Sequence, residues 1–464
     1  MNARLAKVLG LILTLALVLS GCNLIEVDAD MQADEDIAKL DKQFSQVVAT
    51  YDGGEVTAND VMGEFTNNYS QTYYLYQYYF GYSMTADEVH SLMEDSINQH
   101  VRNAIVAEHF DESMELTAEE LAEVEILAQE NFDSAQTGAL STAEGKTDKE
   151  KQANARVLLK QEGLTYDSIY ASQLASAKVT KMEQSLRDAV TEVSDEQLQA
   201  AYDAKLAENQ EEYTDGSSFE SDMTDDSTIV CWMPEGYRTV KHILVIPEDE
   251  LKTAYTTAVS DLASAQSTLE GYQAELAALN DDDAAEDART AEEIQADIDA
   301  AETAVADAQS AVDAAAQACL DSVKDKTDEI YARLEAGEDF ATLIAEYGED
   351  PGMQNEPTSS RGYYVSAAST NWEVNFRDAA MALENVGDYT LEPVISGSGV
   401  HIIRYESDVT AGPVALDEVR DALYAETLTA LQEANVTDTI DAWVAERNVS
   451  VDADAFEAAY TGEE

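Results

Sequence analysis

The strongest regular pattern in the sequence is a heptad repeat near residue 300. Apolar or small side chains recur there at alternating spacings of four and three residues, which places them on one stripe of an α-helix. That stripe comprises Ile294, Ile298, Ala301, Val305, Ala308, Val312, Ala315 and Cys319. An earlier stripe comprises Leu262, Leu269, Tyr272, Leu276 and Leu279. Because a polar turn at residues 280–283 separates the stripes, we predict an antiparallel coiled-coil hairpin over residues 248–325.

This hairpin interrupts a second folded element. Residues 237–245 contain a histidine followed by the aliphatic run Ile-Leu-Val, which we expect to form a strand. Residues 326–405 predict two short helices, a turn-rich middle and a final strand pair that turns at residues 396–399. The ends of an antiparallel hairpin lie together, and the entropy of a longer loop grows only logarithmically. The strand before the hairpin can therefore pair with the segments after it.

The flanking pieces resemble the parvulin family of peptidyl-prolyl isomerases. The resemblance rests on EAGEDFATLIAEYGEDPG, FRDAAMALENVGDYTLEPV and GSGVHIIRY after the hairpin, and on the strand YRTVKHILV before it. The whole chain is similar to extracytoplasmic foldase lipoproteins that carry such a module between chaperone-like segments. The resemblance implies an α+β fold: a parvulin-like α/β module interrupted by the hairpin, plus a mostly α-helical chaperone-like domain.

The resemblance also implies an active site. Rotation about an X–Pro bond meets a barrier of roughly 20 kcal/mol but breaks no bond, so neither a nucleophile nor a cofactor or metal is expected. The catalytic residues would be His242, Asp350 and His401, with Asp350 acting electrostatically. The substrate-binding residues would be Tyr364, Trp372, Phe376, Met381, Ser396 and Ser398. An alternative role for the two histidines is a hydrogen bond between their rings that only holds the sheet.

Two departures from the family pattern bear on function. Arg361 stands where family members have an apolar residue lining the site. This favours the alternative of a non-catalytic holdase. A further alternative is a structural lipoprotein that binds proteins through the module and the coiled coil. Residues 247–250 are Pro-Glu-Asp-Glu, where the phosphate-reading members carry basic residues. Recognition of phosphoserine-proline is therefore not expected.

The N-terminus indicates the compartment. Arg4 and Lys7 precede an apolar run that is too short to span a bilayer comfortably, and Leu-Ser-Gly-Cys22 follows it as a lipobox. We expect cleavage before Cys22 and lipidation of its thiol, because two acyl chains give stable anchoring. A plain signal peptide or an uncleaved anchor is the alternative. The expected location is the outer face of a bacterial cytoplasmic membrane.

The remaining segments complete a predicted domain order. The order is a signal peptide (1–21), an acidic membrane spacer (22–44), a helical chaperone-like domain (45–210), a linker (211–235), the parvulin module (236–247 and 326–408) with its insertion (248–325), and a C-terminal helical segment that packs on the N-terminal domain (409–464). Capping pairs begin helices at Thr57, Thr117 and Ser194.

The amino-acid composition limits the kinds of partner that the chain is expected to bind. The chain has 94 acidic and 26 basic residues, a formal charge of −68, which excludes nucleic-acid binding through counterion release. The expected partners are unfolded or partly folded secreted polypeptides with X-Pro segments, and the membrane through the lipid anchor. A run of tyrosines between Tyr69 and Tyr82 is either a surface for such clients or a set of rings of which half pack and half are merely exposed.

The remaining cysteines and histidines can be interpreted as structural residues. Cys231 and Cys319 either form a disulfide or, as the seam position of Cys319 favours, remain small packed thiols. His90, His100 and His109 lack the spacing of metal ligands, so no metal site is expected.

Overall fold

The computed structural model describes residues 28–81, 83–214, 217–225, 227–279 and 289–462. The predicted signal peptide, the lipidation residue Cys22 and the tip of the hairpin lie outside these residues. None of the described helices is sufficiently long and apolar to cross a membrane. The chain divides into two units, one built from residues up to Glu192 and from Leu428 onward, the other from Val193–Thr427.

Helices dominate the described residues, in keeping with the predicted α+β class. The α-helices are α1 (Ala29–Phe44), α2 (Ala58–Leu75), α3 (Ala86–Ser113), α4 (Ala118–Thr142), α5 (Asp148–Gln161), α6 (Tyr166–Asp188), α7 (Asp195–Glu212), α8 (Ser217–Asp222), α9 (Asp249–Ala278), α10 (Ala291–Ser322), α11 (Lys324–Glu335), α12 (Phe340–Tyr347), α13 (Thr358–Arg361), α14 (Val374–Ala382), α15 (Leu416–Ala445) and α16 (Ala453–Thr461). The strands are β1 (Val47–Tyr51), β2 (Gly54–Thr57), β3 (Trp232–Met233), β4 (Arg238–Val245), β5 (Tyr363–Val365), β6 (Val394–Ile395), β7 (Val400–Asp408), β8 (Gly412–Pro413) and β9 (Ser450–Val451).

The first unit has an aromatic core that includes the last helix. The Phe65 ring of α2 meets Phe456 and Tyr460 of α16 edge-on, with centroids 5.4 and 5.3 Å apart. Such pairs contribute about 0.5–1.5 kcal/mol beyond burial. Strands β1 and β2 form an antiparallel hairpin, and β9 pairs antiparallel with the other edge of β1. The C-terminal helix is therefore integral to the core of this unit.

Helix starts follow local capping chemistry in both units. Capping boxes form at Thr57, Thr117 and Ser194, as the sequence predicts, and also at Thr85 and Thr147. In each, the hydroxyl side chain accepts from a free amide of the first turn while the acidic or amide side chain three residues later accepts from the cap's own amide. Losing one such cap costs about 1 kcal/mol.

The predicted spacer differs from the structure over most of its length. Helix α1 carries acidic residues on its outer side, but Ala33 and Phe44 are buried, and Phe44 belongs to the core of the first unit. From Ala29 onward the segment is thus part of the folded unit. The sequence prediction missed the burial of Ala33 and Phe44 because acidic residues dominate the segment. The two residues are eleven positions apart, about three helical turns, so they lie on the same face of the helix.

The tyrosine run splits between core and surface. Tyr69 is buried in the core of the first unit, and Tyr76, in a π-helical turn at Tyr76–Phe80, packs partly against that core. By contrast, Tyr74 is 63% exposed, and Tyr78 and Tyr79 are each 69% exposed. The side chain of Phe80 and the whole of Tyr82 lie outside the described residues.

The second unit is organised by a four-stranded antiparallel sheet in the order β5-β4-β7-β6. Strands β4 and β7 form its long central ladder. Side chains alternate between the two faces of a strand. On one face, Ile243, Val245, Val400 and Ile402 pack with residues of α11 and α12. The opposite face carries Val240 and Ile403 and packs against α14, which leaves the histidines of β4 and β7 on the α14 side.

The insertion between β4 and α11 is the predicted antiparallel helical hairpin. Every residue of both predicted stripes is buried or half-buried. Arg289, just before α10, forms an ion pair of 3.1 Å with Glu275 near the end of α9, so the helices run in opposite directions. At the base of the hairpin, Tyr255 is buried and accepts a hydrogen bond of 3.4 Å from Asn375 of α14.

The predicted linker is instead a packed segment. Phe219 of α8 has no exposed surface, and its ring contacts Tyr237 and Tyr364 at centroid distances of 4.7 and 5.2 Å. Cys231, also in this stretch, is a buried free thiol, as is Cys319, so the two do not form a disulfide. Burial raises the pKa of both thiols.

Candidate active site

Strands β4 and β7 bring two histidines together on the α14 side of the sheet. In the antiparallel ladder His242 pairs with Ile403, and Leu244 pairs with His401. The two histidines are therefore diagonal neighbours on one face, a separation that side chains of this length can bridge. Their Nδ1 atoms lie 2.9 Å apart. Both residues are only 4% exposed.

A continuous chain of hydrogen bonds passes through this histidine pair. At one end, His242 Nε2 lies 2.8 Å from Asp350 Oδ2. At the other end, His401 Nε2 lies 2.7 Å from Ser396 Oγ. The Ser398 amide donates to Ser396 Oγ at 3.0 Å, which anchors the chain to the turn between β6 and β7. The strand pairing thus positions four side chains in a single row.

Asp350 is the member of this row that solvent can reach, since its side chain is 18% exposed. It also accepts hydrogen bonds from the Gly352 amide and the Tyr363 hydroxyl, each at 3.0 Å. Burial alone would raise its pKa, but the His242 hydrogen bond and charge, together with these two donors, outweigh burial and lower the pKa of Asp350 to about 2. The carboxylate is therefore ionised at neutral pH.

Glycines at two positions permit this arrangement. A Cβ atom on Gly352 would overlap the Tyr363 hydroxyl, so any larger residue would push that hydroxyl away from Asp350. Gly362 has φ = +86° and lies against the Val240 carbonyl. Only glycine adopts this backbone region without strain while approaching a neighbouring strand so closely. The turn lets the chain enter β5 directly beside β4.

The hydrogen-bond partners define the proton positions. Burial first, and then the neighbouring His242, lowers the pKa of His401 to about 3, so its ring is neutral at neutral pH. The Nδ1–Nδ1 contact needs one shared proton, and ionised Asp350 requires a proton on His242 Nε2. In the neutral form of His242, the proton between the rings therefore belongs to His401, whose Nε2 then accepts from the Ser396 hydroxyl.

An aromatic cluster covers the histidine pair. The Phe376 ring of α14 meets His242 and His401 edge-on at centroid distances of 5.4 and 5.1 Å. Trp372 stacks on Phe376 at 5.0 Å and also contacts Tyr363 at 4.9 Å. Phe376 is 2% exposed, whereas Trp372 is half-buried. The cluster therefore presents an apolar surface beside an ionised carboxylate.

The structure brings together most, but not all, of the predicted site residues. Met381 packs in the same cluster as Phe376. The side chain of Tyr364, however, packs on Phe219 outside this cluster, and only its backbone carbonyl contacts the site, by accepting from Trp372 Nε1 at 2.9 Å. Its neighbour Tyr363 takes the predicted place. Strand alternation puts the two on opposite faces, but sequence alone does not reveal which one faces inward.

Ser398 also differs from its prediction. Its side chain is exposed, and it contributes its backbone amide to Ser396. The unusual Arg361 lies with its guanidinium 5.3 Å from the Tyr364 ring centroid. Its Nε and Nη2 atoms are buried without a hydrogen-bond partner among the described residues. A buried, partly unpaired guanidinium costs free energy, and nothing in the structure explains what offsets that cost.

One group of side chains in the first unit has metal-binding character. His90, Asp454 and Glu457 bring ligand atoms within 4.8 Å of one another. However, His90 already pairs with Glu457 at 3.3 Å, and Asp454 is exposed. Such surface arrangements commonly hold no metal, and the expectation of no metal stays a prediction.

The sheet, the histidine row and the aromatic cover define a parvulin-type module. Residues 310–407 match the family model of the rotamase, or PPIC-type peptidyl-prolyl isomerase, domain. The chain therefore contains a domain of the parvulin class of peptidyl-prolyl isomerases, which confirms the resemblance found in the sequence. The matched range begins inside α10 and omits β4, whose place in the module is given by its ladder with β7.

Individual relatives fall among foldases and chaperones. The foldase protein PrsA 4 of Bacillus cereus is 42% identical over 85 residues, which are 18% of this chain and 28% of the relative. The chain thus matches little more than a quarter of that relative's length. Among solved structures, PrsA of Bacillus anthracis has a TM-score of 0.18 at 12% identity, covering 75% of this chain and 96% of its own. A SurA-like chaperone of Campylobacter jejuni has a TM-score of 0.21 at 16% identity, covering 72% and 94%. The family assignment therefore rests on the sequence match over residues 310–407.

Proposed function

We propose that the protein is a peptidyl-prolyl cis-trans isomerase and foldase that acts on unfolded or partly folded secreted polypeptides. The observation that carries the proposal is an ionised Asp350, held by the buried His242 and bonded to Tyr363, whose ring contacts the half-buried Trp372. An apolar surface for a proline ring and a fixed charge for the adjacent amide are what catalysis of bond rotation requires. The foldase name of the Bacillus cereus relative supports the same assignment.

The proposed mechanism is electrostatic. In the planar amide, resonance places negative charge on the carbonyl oxygen, and twisting the C–N bond removes that charge. A carboxylate near the oxygen therefore destabilises the planar ground state more than the twisted transition state, which lowers the barrier. Asp350 fills this role because its pKa of about 2 keeps it ionised. His242 and His401 are too buried to touch substrate, so they act as positioning residues.

The aromatic cluster would hold the proline ring. Trp372 offers a partly open face, and Phe376 supports it from below. The cluster would hold the proline ring fixed while the preceding carbonyl rotates. The energy of binding the ring is then used to orient the bond that must rotate. Met381 supports the same cluster from α14. Ser396 acts only through His401, because it is buried and bonds that ring.

The proposed location is the outer face of a bacterial cytoplasmic membrane, through a lipid on Cys22. The support is the lipobox after a short apolar run. Replacing Cys22 with alanine should release a processed protein from the membrane fraction or leave the precursor uncleaved. A processed Cys22→Ala protein that still partitions with membranes would contradict the lipid anchor.

The direct test is isomerisation of a non-phosphorylated Ala-Pro peptide by the chain lacking only residues 1–22. Wild type should accelerate cis-trans exchange, measured by exchange NMR, and His401→Ala should slow it by misplacing His242. A phosphoserine-proline peptide should be a poorer substrate, because the segment 247–250 is acidic. Absence of acceleration by a folded wild-type protein would overturn the proposal.

A non-catalytic holdase is the second candidate, and the exposed tyrosines favour it. Tyr74, Tyr78 and Tyr79 present large rings to solvent, and such rings bind apolar segments at low entropic cost. Replacing these three residues with serine should weaken suppression of client aggregation without changing isomerisation of a short peptide. If a Trp372→Ala variant abolished aggregation suppression as well, the holdase activity would belong to the module instead.

A further inference from the structure

A polar cleft opens beside the aromatic cluster of the module. Its volume is about 650 Å³, and Trp372 forms part of its wall. The other lining residues include three carboxylates, on Glu212, Glu220 and Asp222, several hydroxyl side chains and the amide of Asn371. The lining contains neither lysine nor arginine among the described residues. The cleft thus shares Trp372 with the proposed proline site, and its lining is strongly acidic.

The acidic wall is a built part of the module. Helix α8 carries Glu220 and Asp222, and its Phe219 is fully buried against Tyr237 and Tyr364. On the other side of the cleft, Asn371 Nδ2 donates to the Ser217 carbonyl at 2.8 Å. These contacts fix the wall to the loop that precedes Trp372.

Glu220 is the feature that points to a ligand. It is 4% exposed, and its Oε1 accepts from the Tyr237 hydroxyl at 3.2 Å and from the Ser369 hydroxyl. Its Oε2 has no hydrogen-bond partner among the described residues. Burial, the largest influence, raises the pKa of Glu220. Leaving a buried carboxylate oxygen unpaired costs free energy, which a nearby cation would recover.

Among the described residues, the cations near the cleft are already paired with other carboxylates: Lys205, which lies near Glu212, pairs with Glu208 at 3.1 Å. Arg377 lies closest to the Ser369 side, where its Nη1 donates to the Ser369 carbonyl at 3.3 Å, but its guanidinium is paired with Asp378 at 2.9 Å. Glu212 and Asp222 therefore keep the lining acidic, and they add to the acidic field of the whole chain.

We propose that this cleft binds the guanidinium or ammonium group of an arginine or lysine that flanks the proline of a client polypeptide. The inference rests on the proposed function, because a client whose proline binds the aromatic cluster would have its neighbouring residues beside the cleft. A planar guanidinium suits the arrangement best, since its five N–H donors can meet carboxylates and hydroxyl oxygens together. The preferred client segment is thus basic as well as proline-containing.

The test is a set of fluorescent Ala-Pro peptides in which one arginine is moved through the three positions on each side of the proline. Citrulline, which keeps the shape and removes the charge, replaces arginine in the matched peptides. Wild type should bind the arginine form roughly tenfold more tightly at one or more positions, measured by fluorescence anisotropy. Equal affinity for arginine and citrulline at all six positions would overturn the proposal.

Three variants assign the preference to the cleft. Glu220→Gln should remove most of the preference for arginine, and Glu212→Gln should reduce it about threefold. Glu212 is exposed, so its substitution tests the proposal even if Glu220→Gln destabilises the fold. The matched control is Glu211→Gln, an exposed neighbour outside the lining that loses the same charge and should keep the preference. An equal loss in Glu211→Gln and Glu212→Gln would show a general field instead of a site.

The neutral peptide separates this proposal from the proposed function. If wild type isomerises neutral Ala-Pro peptides but shows no preference for arginine, the cleft proposal fails while the isomerase stands. If arginine peptides bind through Glu220 and no peptide is isomerised, the cleft is supported and the catalytic proposal fails.

Discussion

Asp350→Asn tests the central electrostatic feature of the module. Asp350 accepts hydrogen bonds from His242, Tyr363 and the Gly352 amide. An asparagine has one acceptor oxygen in place of two, so its NH₂ group must face one of these donors. The variant keeps the shape but loses both the charge and at least one hydrogen bond. We expect it to destabilise the second unit and to slow isomerisation.

The magnitude follows from the pKa of Asp350. Its fall from 3.8 to about 2 corresponds to roughly 2.5 kcal/mol, at about 1.4 kcal/mol per pKa unit. Because the side chain is 18% exposed, solvent screening reduces this to about 1–2 kcal/mol. The folded pKa lies below the unfolded one, so the stabilisation is complete above about pH 4 and is lost as the pH falls through about 2. At pH 3 roughly half of it should remain.

The assay is urea unfolding followed by the emission of Trp372, with the other two tryptophans replaced by phenylalanine in both proteins. The free energy lost in Asp350→Asn should be about 1–2 kcal/mol at pH 7 and roughly half that at pH 3. Comparing the two proteins at each pH cancels the titration of the many other acids. A loss below about 0.5 kcal/mol at pH 7, or an equal loss at both pH values, would refute the reasoning.

Other substitutions separate binding, positioning and architecture. Trp372→Ala should lower kcat/KM on Ala-Pro peptides by about 30-fold or more, and an unchanged kcat/KM in the folded variant would contradict the role of this ring in holding the proline. Tyr363→Phe should cost about 1 kcal/mol and raise the pKa of Asp350, seen by carboxyl NMR, whereas Tyr364→Phe should leave that pKa unchanged. Replacing residues 262–312 with a short Gly/Ser linker should leave the melting of the second unit unchanged, and loss of a cooperative transition would show that the outer hairpin is part of its core.

The elements predicted from periodic or local sequence patterns are present in the structure. The hairpin could be predicted because a heptad pattern is local: each seam residue is defined by neighbours three or four positions away. The family pattern predicted that His242 and His401 are paired. The structure shows them as neighbours, because the pairing of Leu244 with His401 sets the register of the two strands. Capping boxes are equally local, and those at Thr57 and Thr117 form as expected.

Features that depend on distant partners were missed. Phe219 is a lone aromatic residue in an acidic stretch, and its burial depends on Tyr237 and on Tyr364, which lies far along the chain. The choice of Tyr363 over Tyr364 depends on the turn at Gly362, whose left-handed backbone sets which ring faces the histidines. Neither signal is contained in a short window of sequence.

The long β4–β7 ladder has a consequence for how the module is assembled. Its strands, Arg238–Val245 and Val400–Asp408, are far apart in the chain, and contacts of such separation slow folding because a large loop must close first. The hairpin needs only local contacts, and once formed it brings its two ends together and removes most of that loop. It is therefore expected to act as a folding clamp: charged substitutions at Ile294 and Ile298 should slow refolding of the sheet, seen in stopped-flow fluorescence, more than they speed its unfolding.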